Sequence, residues 1–362
     1  KHLIHGIEEG LRGRELTELS PVLVRALQPY QSEYGKESLS LELRRGQARE
    51  VATALDVIAN DQAEIRERLA YIRIFGEIAQ PDCVPVLLKL VESSRSSGAI
   101  KQASLQALSG YDNPEIGTRV TAAYPDKLRH DPYVRDAALY LLVQRNAWAE
   151  MLLNAIDRKT KPGEKFIAHT IDKSDVPDQV ARQMLLLNDQ TISETVNRLW
   201  PGLGPATSLE KNNQISRIAQ LLKSGSGDIV NGRVIFNNRC GSCHRLFDEG
   251  ANIGPELTGY DRKNLNELLT NIVDPNVFIR EGYETYHITT TDKRSLVGTL
   301  ESKSGSTLTV KSLSGELVIL SVDQVDKMVE QKASVMPEGL LNGLSDQQIR
   351  DVISYITNDQ KD

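Results

Sequence analysis

The chain has 362 residues, is 40% hydrophobic and 25% charged, and carries a formal net charge of −6. That is ordinary globular composition, at a length that suits two or three domains. Three cysteines are too few for a disulfide scaffold. Residues from Ser226 onward hold 14 basic and 20 acidic side chains while the remainder is balanced, which argues against nucleic-acid binding and leaves a charged docking face open.

No apolar run approaches the roughly 18 residues of a membrane-spanning helix. The longest, such as Ala137–Val143, have the length of a buried helix. The chain opens KHLIHGIEEG, without an initiator Met or an export signal, and is read as a mature or trimmed chain.

In chain order, the first two thirds predict helices, with few Gly and apolar residues at helical spacing. Three blocks look alike: IRERLAYIRIFGEI from Ile65, IKQASLQALSGY from Ile100 and VRDAALYLLVQR from Val134. Their basic residues Arg66, Lys101 and Arg135 are spaced by 35 and 34, and each block follows a turn or breaker signal. A single helical hairpin cannot bury its apolar face alone, so such units stack. The pattern resembles HEAT-type repeats over about 61–157, with LSLELRRGQAREVATALDVIA as an earlier unit and PDQVARQMLLL as a later one; an irregular α-bundle is the alternative. Cys83, in PDCVPVLLKL, reads as a small buried hydrophobe.

LLKSGSGD, Leu221–Asp228, punctuates the chain. The expected domains are a repeat domain 1–222, a linker 223–227 and a C-terminal domain 228–362. Helix resumes in DIVNGRVIFNNRC with Asp228 as N-cap, and the chain closes on LSDQQIRDVISYITN, where Ser345 caps a helix whose buried face is Ile349, Val352, Ile353 and Ile356. Between these helices the sequence turns to period-two alternation in STLTVKS and ELVILS, with KSGS and LSGE as hairpin turns. This predicts a small antiparallel β insert of about four strands, placed at about 283–333.

The chemistry concentrates in NNRCGSCHRLF, Asn237–Phe247. A structural zinc site needs four ligands, usually from two such knuckles; no second knuckle exists here and the other histidines are scattered. A redox dithiol needs its first thiolate at a helix N-terminus after a strand, whereas a helix precedes Cys240. A C-x-x-C-H haem anchor uses every residue of the motif: Cys240 and Cys243 project two sulfurs from one turn, and His244 supplies an axial nitrogen.

The segment from Gly227 to the C-terminus resembles a class I cytochrome c, and more narrowly the planctomycete/verrucomicrobial-type haem-binding domain. The resemblance rests on GRVIFNNRCGSCHRL, GPELTGY, DPN followed by IREGYE, the β-rich insert, VMPEGLL and LSDQQIRDVISYI, and covers about 135 residues. With the HEAT-like pattern before it, this implies a mainly α fold, an N-terminal HEAT-like α-solenoid followed by an all-α cytochrome c domain with a small antiparallel β insert. It implies one haem c attached through Cys240 and Cys243, with His244 as proximal ligand and the Pro255 carbonyl holding its ring. Gly232 is the position where the terminal helices cross, against an aromatic such as Tyr355. Met336, in a loop before Pro337, is the distal ligand, 92 residues beyond His244 because the insert intervenes. Met328 shares an apolar face with Val325 and Val329 and reads as core; His287 or water is the alternative sixth ligand. Tyr260, Arg262, Arg280 and Tyr283 flank the motifs and are candidate propionate donors. His2, His5, His130 and His169 read as surface or capping residues.

The functional expectation is a periplasmic or envelope electron-transfer protein, exported by a signal absent from this chain. By resemblance its redox partner is a carbohydrate or alcohol dehydrogenase, and the repeats provide docking. The rival reading is a helical-repeat interaction scaffold whose haem is sensory or structural. A catalytic chain is not expected: no dinucleotide loop after a strand, H-E-x-x-H or G-x-S-x-G is present, and acidic pairs such as Glu8–Glu9 and Asp248–Glu249 read as solvated surface.

Overall fold

A computed structural model describes residues 48–157, 171–201, 203 and 208–359, together with Val22, Arg25, Leu43, Arg44 and Gly46. His2, His5, His169 and the Glu8–Glu9 pair lie outside the described residues, and His130 is exposed.

Among the described residues, nine α-helices lie between Ala48 and Leu199: α1 Ala48–Ala59, α2 Ile65–Glu77, α3 Val84–Glu92, α4 Gly98–Leu108, α5 Pro114–Ala123, α6 Pro132–Leu142, α7 Asn146–Asp157, α8 Asp178–Leu185 and α9 Gln190–Leu199. Their starts are chemically marked: Ser97, Asn113, Asp131 and Asp189 each accept a backbone N–H of the first turn, and Pro sits in the first turn of α3, α5 and α6. Successive helices alternate between two layers. The helices α2, α4 and α6, which carry the three similar blocks, pack side by side in one layer, and α3, α5, α7 and α9 in the other. One apolar core runs between them, from Leu43 to Leu203, with Phe75, Leu88, Leu105, Tyr124, Trp148 and Met184 fully buried or nearly so. Cys83 is fully buried in it.

The remaining helices are α10 Ser208–Lys223, α11 Ile229–Arg239, α12 Leu265–Val273 and α13 Asp346–Thr357. Asp228 caps α11 and Ser345 forms a capping box with Gln348 on α13. The face Ile349, Val352, Ile353 and Ile356 is buried, at 4% exposure or less. These helices form a second core with Ile235, Phe236, Leu246, Leu269 and Tyr355. Helix α10 packs on α12 and α13 and gives Ile218, fully buried, to this core.

The β-rich segment forms an antiparallel sheet of five strands rather than about four: β3 Glu284–Thr290, β4 Ser295–Lys303, β5 Thr307–Ser312, β6 Leu317–Ser321 and β7 Val325–Ser334, in the order β6-β5-β4-β3-β7. Strand β7 returns to pair with β3, placing Met328 opposite Ile288. Met328 and Val325 pack on the sheet core, but the strand period turns Val329 outward, at 38% exposure. The hairpin β1 Arg245–Leu246 with β2 Glu249–Gly250 follows the cysteine motif.

The sheet is bonded to the helical layers through the β3–β4 turn. Arg294, 5% exposed, donates to Gln144 Oε1 at 2.7 Å and Ser109 Oγ at 2.6 Å. Arg145 donates to Asp292 Oδ2 at 2.6 Å, and the Ser295 amide reaches the Gln144 carbonyl at 2.8 Å. Glu316, in the β5–β6 turn, faces Arg294. Burial pushes its carboxyl up from 4.5 to about 7, against the pull of the Arg294 charge. A raised carboxyl pKa means the folded state holds the proton through that window. Stability is therefore expected to fall as pH rises from 4.5 to about 7 and to level off above it. Urea midpoints measured across the window check this, and Glu316→Gln should flatten the slope.

Candidate haem-attachment site

Helix α11 ends where the chemistry begins. The Cys240 amide bonds to the Phe236 carbonyl at 2.7 Å, and the Cys243 and His244 amides both return to the Cys240 carbonyl, at 3.0 and 2.8 Å. Both sulfurs and the imidazole thus leave from one tight turn. The direction of α11 is fixed by its crossing with α13. A Cβ on Gly232 would lie 2.1 Å from the Asp351 carbonyl oxygen, so only Gly permits this approach. Asp351, 1% exposed, locks the crossing: its carboxylate accepts from the Asp228 amide at 2.8 Å, Asn231 Nδ2 at 2.6 Å and Gln347 Nε2 at 2.7 Å. These donors hold its pKa down against the opposing effect of burial. Tyr355 then packs tilted against Phe236, with ring centroids 5.4 Å apart and planes at 55°, and meets Phe247 edge-on at 5.9 Å.

His244 is oriented by the loop after β2. Its Nδ1 lies 2.8 Å from the Pro255 carbonyl oxygen. The bond requires a proton on Nδ1, which leaves Nε2 as the free lone pair. Burial lowers the imidazole pKa and favours this neutral form, while the Pro255 carbonyl acts the other way. Gly254 lies against the ring: a Cβ there would come within 2.7 Å of Cε1.

The two thiols are free and half-buried, and burial raises both, Cys240 to about 12. A redox dithiol needs the reverse shift. Among the described residues no group of three or more His, Cys, Asp and Glu side chains gathers as a metal-ligand set, so the zinc reading lacks its ligands there. What surrounds the sulfurs is apolar. Cys240 and Met336 both border the core of Phe236, Leu269 and Leu341, and Cys243 borders a smaller cluster of Ile253, Leu313 and Val335. Two thiols without a ligand set, an imidazole with one nitrogen fixed by a carbonyl, and a thioether on the same apolar core fit the donor set of a covalently held haem.

Met336 is half-buried in the loop after β7, its amide bonded to Ser334 Oγ at 3.1 Å. His287 lies on β3 with Nε2 2.9 Å from Ser295 Oγ. Tyr283 and Gly254 line one cavity of about 410 Å³, together with Glu256, Thr299 and Lys311. The other three candidates lie elsewhere. Arg280 sits over the Tyr260 ring at 5.7 Å and donates to its hydroxyl at the surface. Arg262 donates to the Ile356 and Asn358 carbonyls at 2.6 and 2.7 Å, closing the C-terminal end of α13. The acidic pair Asp248–Glu249 is engaged by Arg245 and Arg233.

Three neighbours of the site come from helices that precede the cysteine-bearing helix α11. Tyr140 of α6 packs with Cys243 on the Ile253, Leu313 and Val335 cluster, Gln179 of α8 donates to the Val335 carbonyl at 3.0 Å, and Lys211 of α10 reaches Glu338 at 2.8 Å. No local pattern marks them, because each reads in sequence as an ordinary helix residue and gains its place only through packing.

No helix among the described residues is long and apolar enough to cross a membrane. No curated protein matches the chain. Residues 229–288, which contain α11, the cysteine turn, the Pro255 loop and α12, match the family model described as Cytochrome c, consistent with a haem-binding, electron-transferring segment.

Proposed function

We propose that this chain is a mono-haem c-type cytochrome of the planctomycete/verrucomicrobial type that passes single electrons between partners outside the cytoplasm. Cys240 and Cys243 would hold the haem through thioethers, His244 Nε2 and the Met336 sulfur would bind its iron, and Pro255 fixes the imidazole. The observation that carries the reading is the 2.8 Å contact between His244 Nδ1 and the Pro255 carbonyl, in the turn that also carries both thiols. When bound, the group supplies a one-electron Fe(II)/Fe(III) couple, and a neutral sulfur ligand favours Fe(II) relative to a second His. The chain's own residues orient the imidazole, keep it neutral and line the site with apolar side chains.

Tyr283 is the propionate donor best supported, since it shares a cavity with Gly254 beside the His244 ring. The side-by-side packing of the three similar blocks supports a HEAT-like array. The acidic C-terminal third suits a charged redox partner, and the family resemblance makes that partner a sugar or alcohol dehydrogenase in the periplasm or envelope.

The test is an absorption spectrum of protein matured with the c-type attachment machinery, oxidised and then reduced, followed by haem staining on a denaturing gel. Soret and α bands are expected, with haem retained by the denatured chain and lost from the Cys240→Ala, Cys243→Ala double variant. Matured protein with no such bands sinks the reading.

A further inference from the structure

The loop that carries Met336 is fastened on both sides by residues that lie outside the matched segment and before the linker. On its N-terminal side, Gln179 Nε2 donates to the carbonyl of Val335, the residue next to Met336, at 3.0 Å. On its C-terminal side, Lys211 Nζ donates to Glu338 Oε1 at 2.8 Å and to Asp274 Oδ1 at 2.7 Å. Lys211 is 8% exposed, unusual for a lysine, and its two carboxylate partners are also largely covered.

The network continues through Asn276 at the surface. Asn276 Nδ2 donates to Glu338 Oε1 at 2.6 Å, and Asn276 Oδ1 accepts the Ser334 amide at 2.7 Å. Lys211 thus ties the end of α12, through Asp274, to both flanks of Met336. Removing it would take the shared cation away from two largely buried carboxylates, a strongly unfavourable change.

We propose that helices α8 and α10 are a frame for this loop, and that Gln179 and Lys211 are positioning residues that hold the Met336 sulfur at the iron. The inference rests on the haem reading above and deepens it. On this view α8, one of the N-terminal helices, acts with α10 on the redox centre itself, in addition to any docking the N-terminal helices provide. A thioether is a weak, neutral ligand, so its coordination depends on how little its loop can wander.

The experiment uses the full chain, matured with haem, as wild type, Lys211→Met, Gln179→Ala and, as control on the same helix, Arg217→Ala. Arg217 pairs with Asp346 at an exposed site. Two readouts are taken: the weak sulfur-to-ferric-iron charge-transfer band, and CO binding by the ferrous protein, which needs a released sixth ligand. In K211M the ratio of bound to released sulfur is expected to fall about tenfold, the scale of losing a buried charge-assisted hydrogen bond. Q179A should show a smaller fall, R217A none, and the Soret and α bands should persist throughout. Should K211M fail to fold, Q179A carries the test alone. A sulfur band of wild-type strength and no CO binding in folded K211M and Q179A overturns the frame and leaves the haem reading intact. Haem-loaded wild type without a sulfur band overturns the Met336 assignment and the frame with it.

Discussion

A Gly232→Ala substitution is expected to destabilise the C-terminal domain by about 3 kcal/mol, the upper range for overpacking a tight contact. In an ordinary helix the change would help, since Ala is the better helix former by about 1 kcal/mol. Here the new methyl would sit 2.1 Å from the Asp351 carbonyl oxygen and 2.8 Å from Tyr355 Cβ. Helices α11 and α13 must move apart. That strains the three bonds to the Asp351 carboxylate and the tilted packing of Tyr355 against Phe236. The measurement is urea unfolding followed by far-UV ellipticity. Gly259→Ala is the control, because a Cβ there meets nothing within 4 Å. Equal midpoints for G232A and wild type would refute the claim that this crossing is set by a missing side chain.

Replacing Arg294 by Met is expected to cost about 3–5 kcal/mol, the scale of breaking a buried charge network on one side only. The substitution removes the donors to Gln144 and Ser109 and leaves Glu316 facing no cation at that point. Its sharper signature is loss of cooperativity between the two parts of the chain. Both tryptophans, Trp148 and Trp200, are buried in the N-terminal helical core. Their fluorescence reports on that core, while ellipticity reports on the whole chain. In R294M the two probes should give separated transitions, and adding Glu316→Gln should recover part of the loss only at pH above about 7, where the carboxyl would have to ionise without its cation. Coincident probes with an unshifted midpoint would overturn the role given to Arg294.

Local chemistry was legible from sequence wherever it is decided locally. Asp228 and Ser345 cap the helices they were expected to cap, because an N-cap depends on one side chain and the next two or three amides. The stretches around KSGS and LSGE join β4 to β5 and β5 to β6, the second with Gly315 at φ +79. The cysteine motif is equally local, since its bonds all lie within one turn.

What sequence left hidden depends on partners far along the chain. Val325, Met328 and Val329 have a spacing that suits one face of a helix, yet pairing with β3 makes them a strand and turns Val329 away. Helix α10 shows an apolar stripe that fits either neighbouring core; only the packing directs Ile218 to the C-terminal one. The contacts of Arg262 with α13 and of Lys211 with Glu338 span 94 and 127 residues. No periodicity reaches that far.

The seating of Tyr140 beside Cys243 has a consequence for the order of assembly. A thiol covered by its own finished fold is a poor substrate for any attaching enzyme, because the enzyme must reach the sulfur and the incoming ring must slide past the cover. On the haem reading, attachment is therefore expected to come before closure, with α6 settling against the cysteine turn once the thioethers exist.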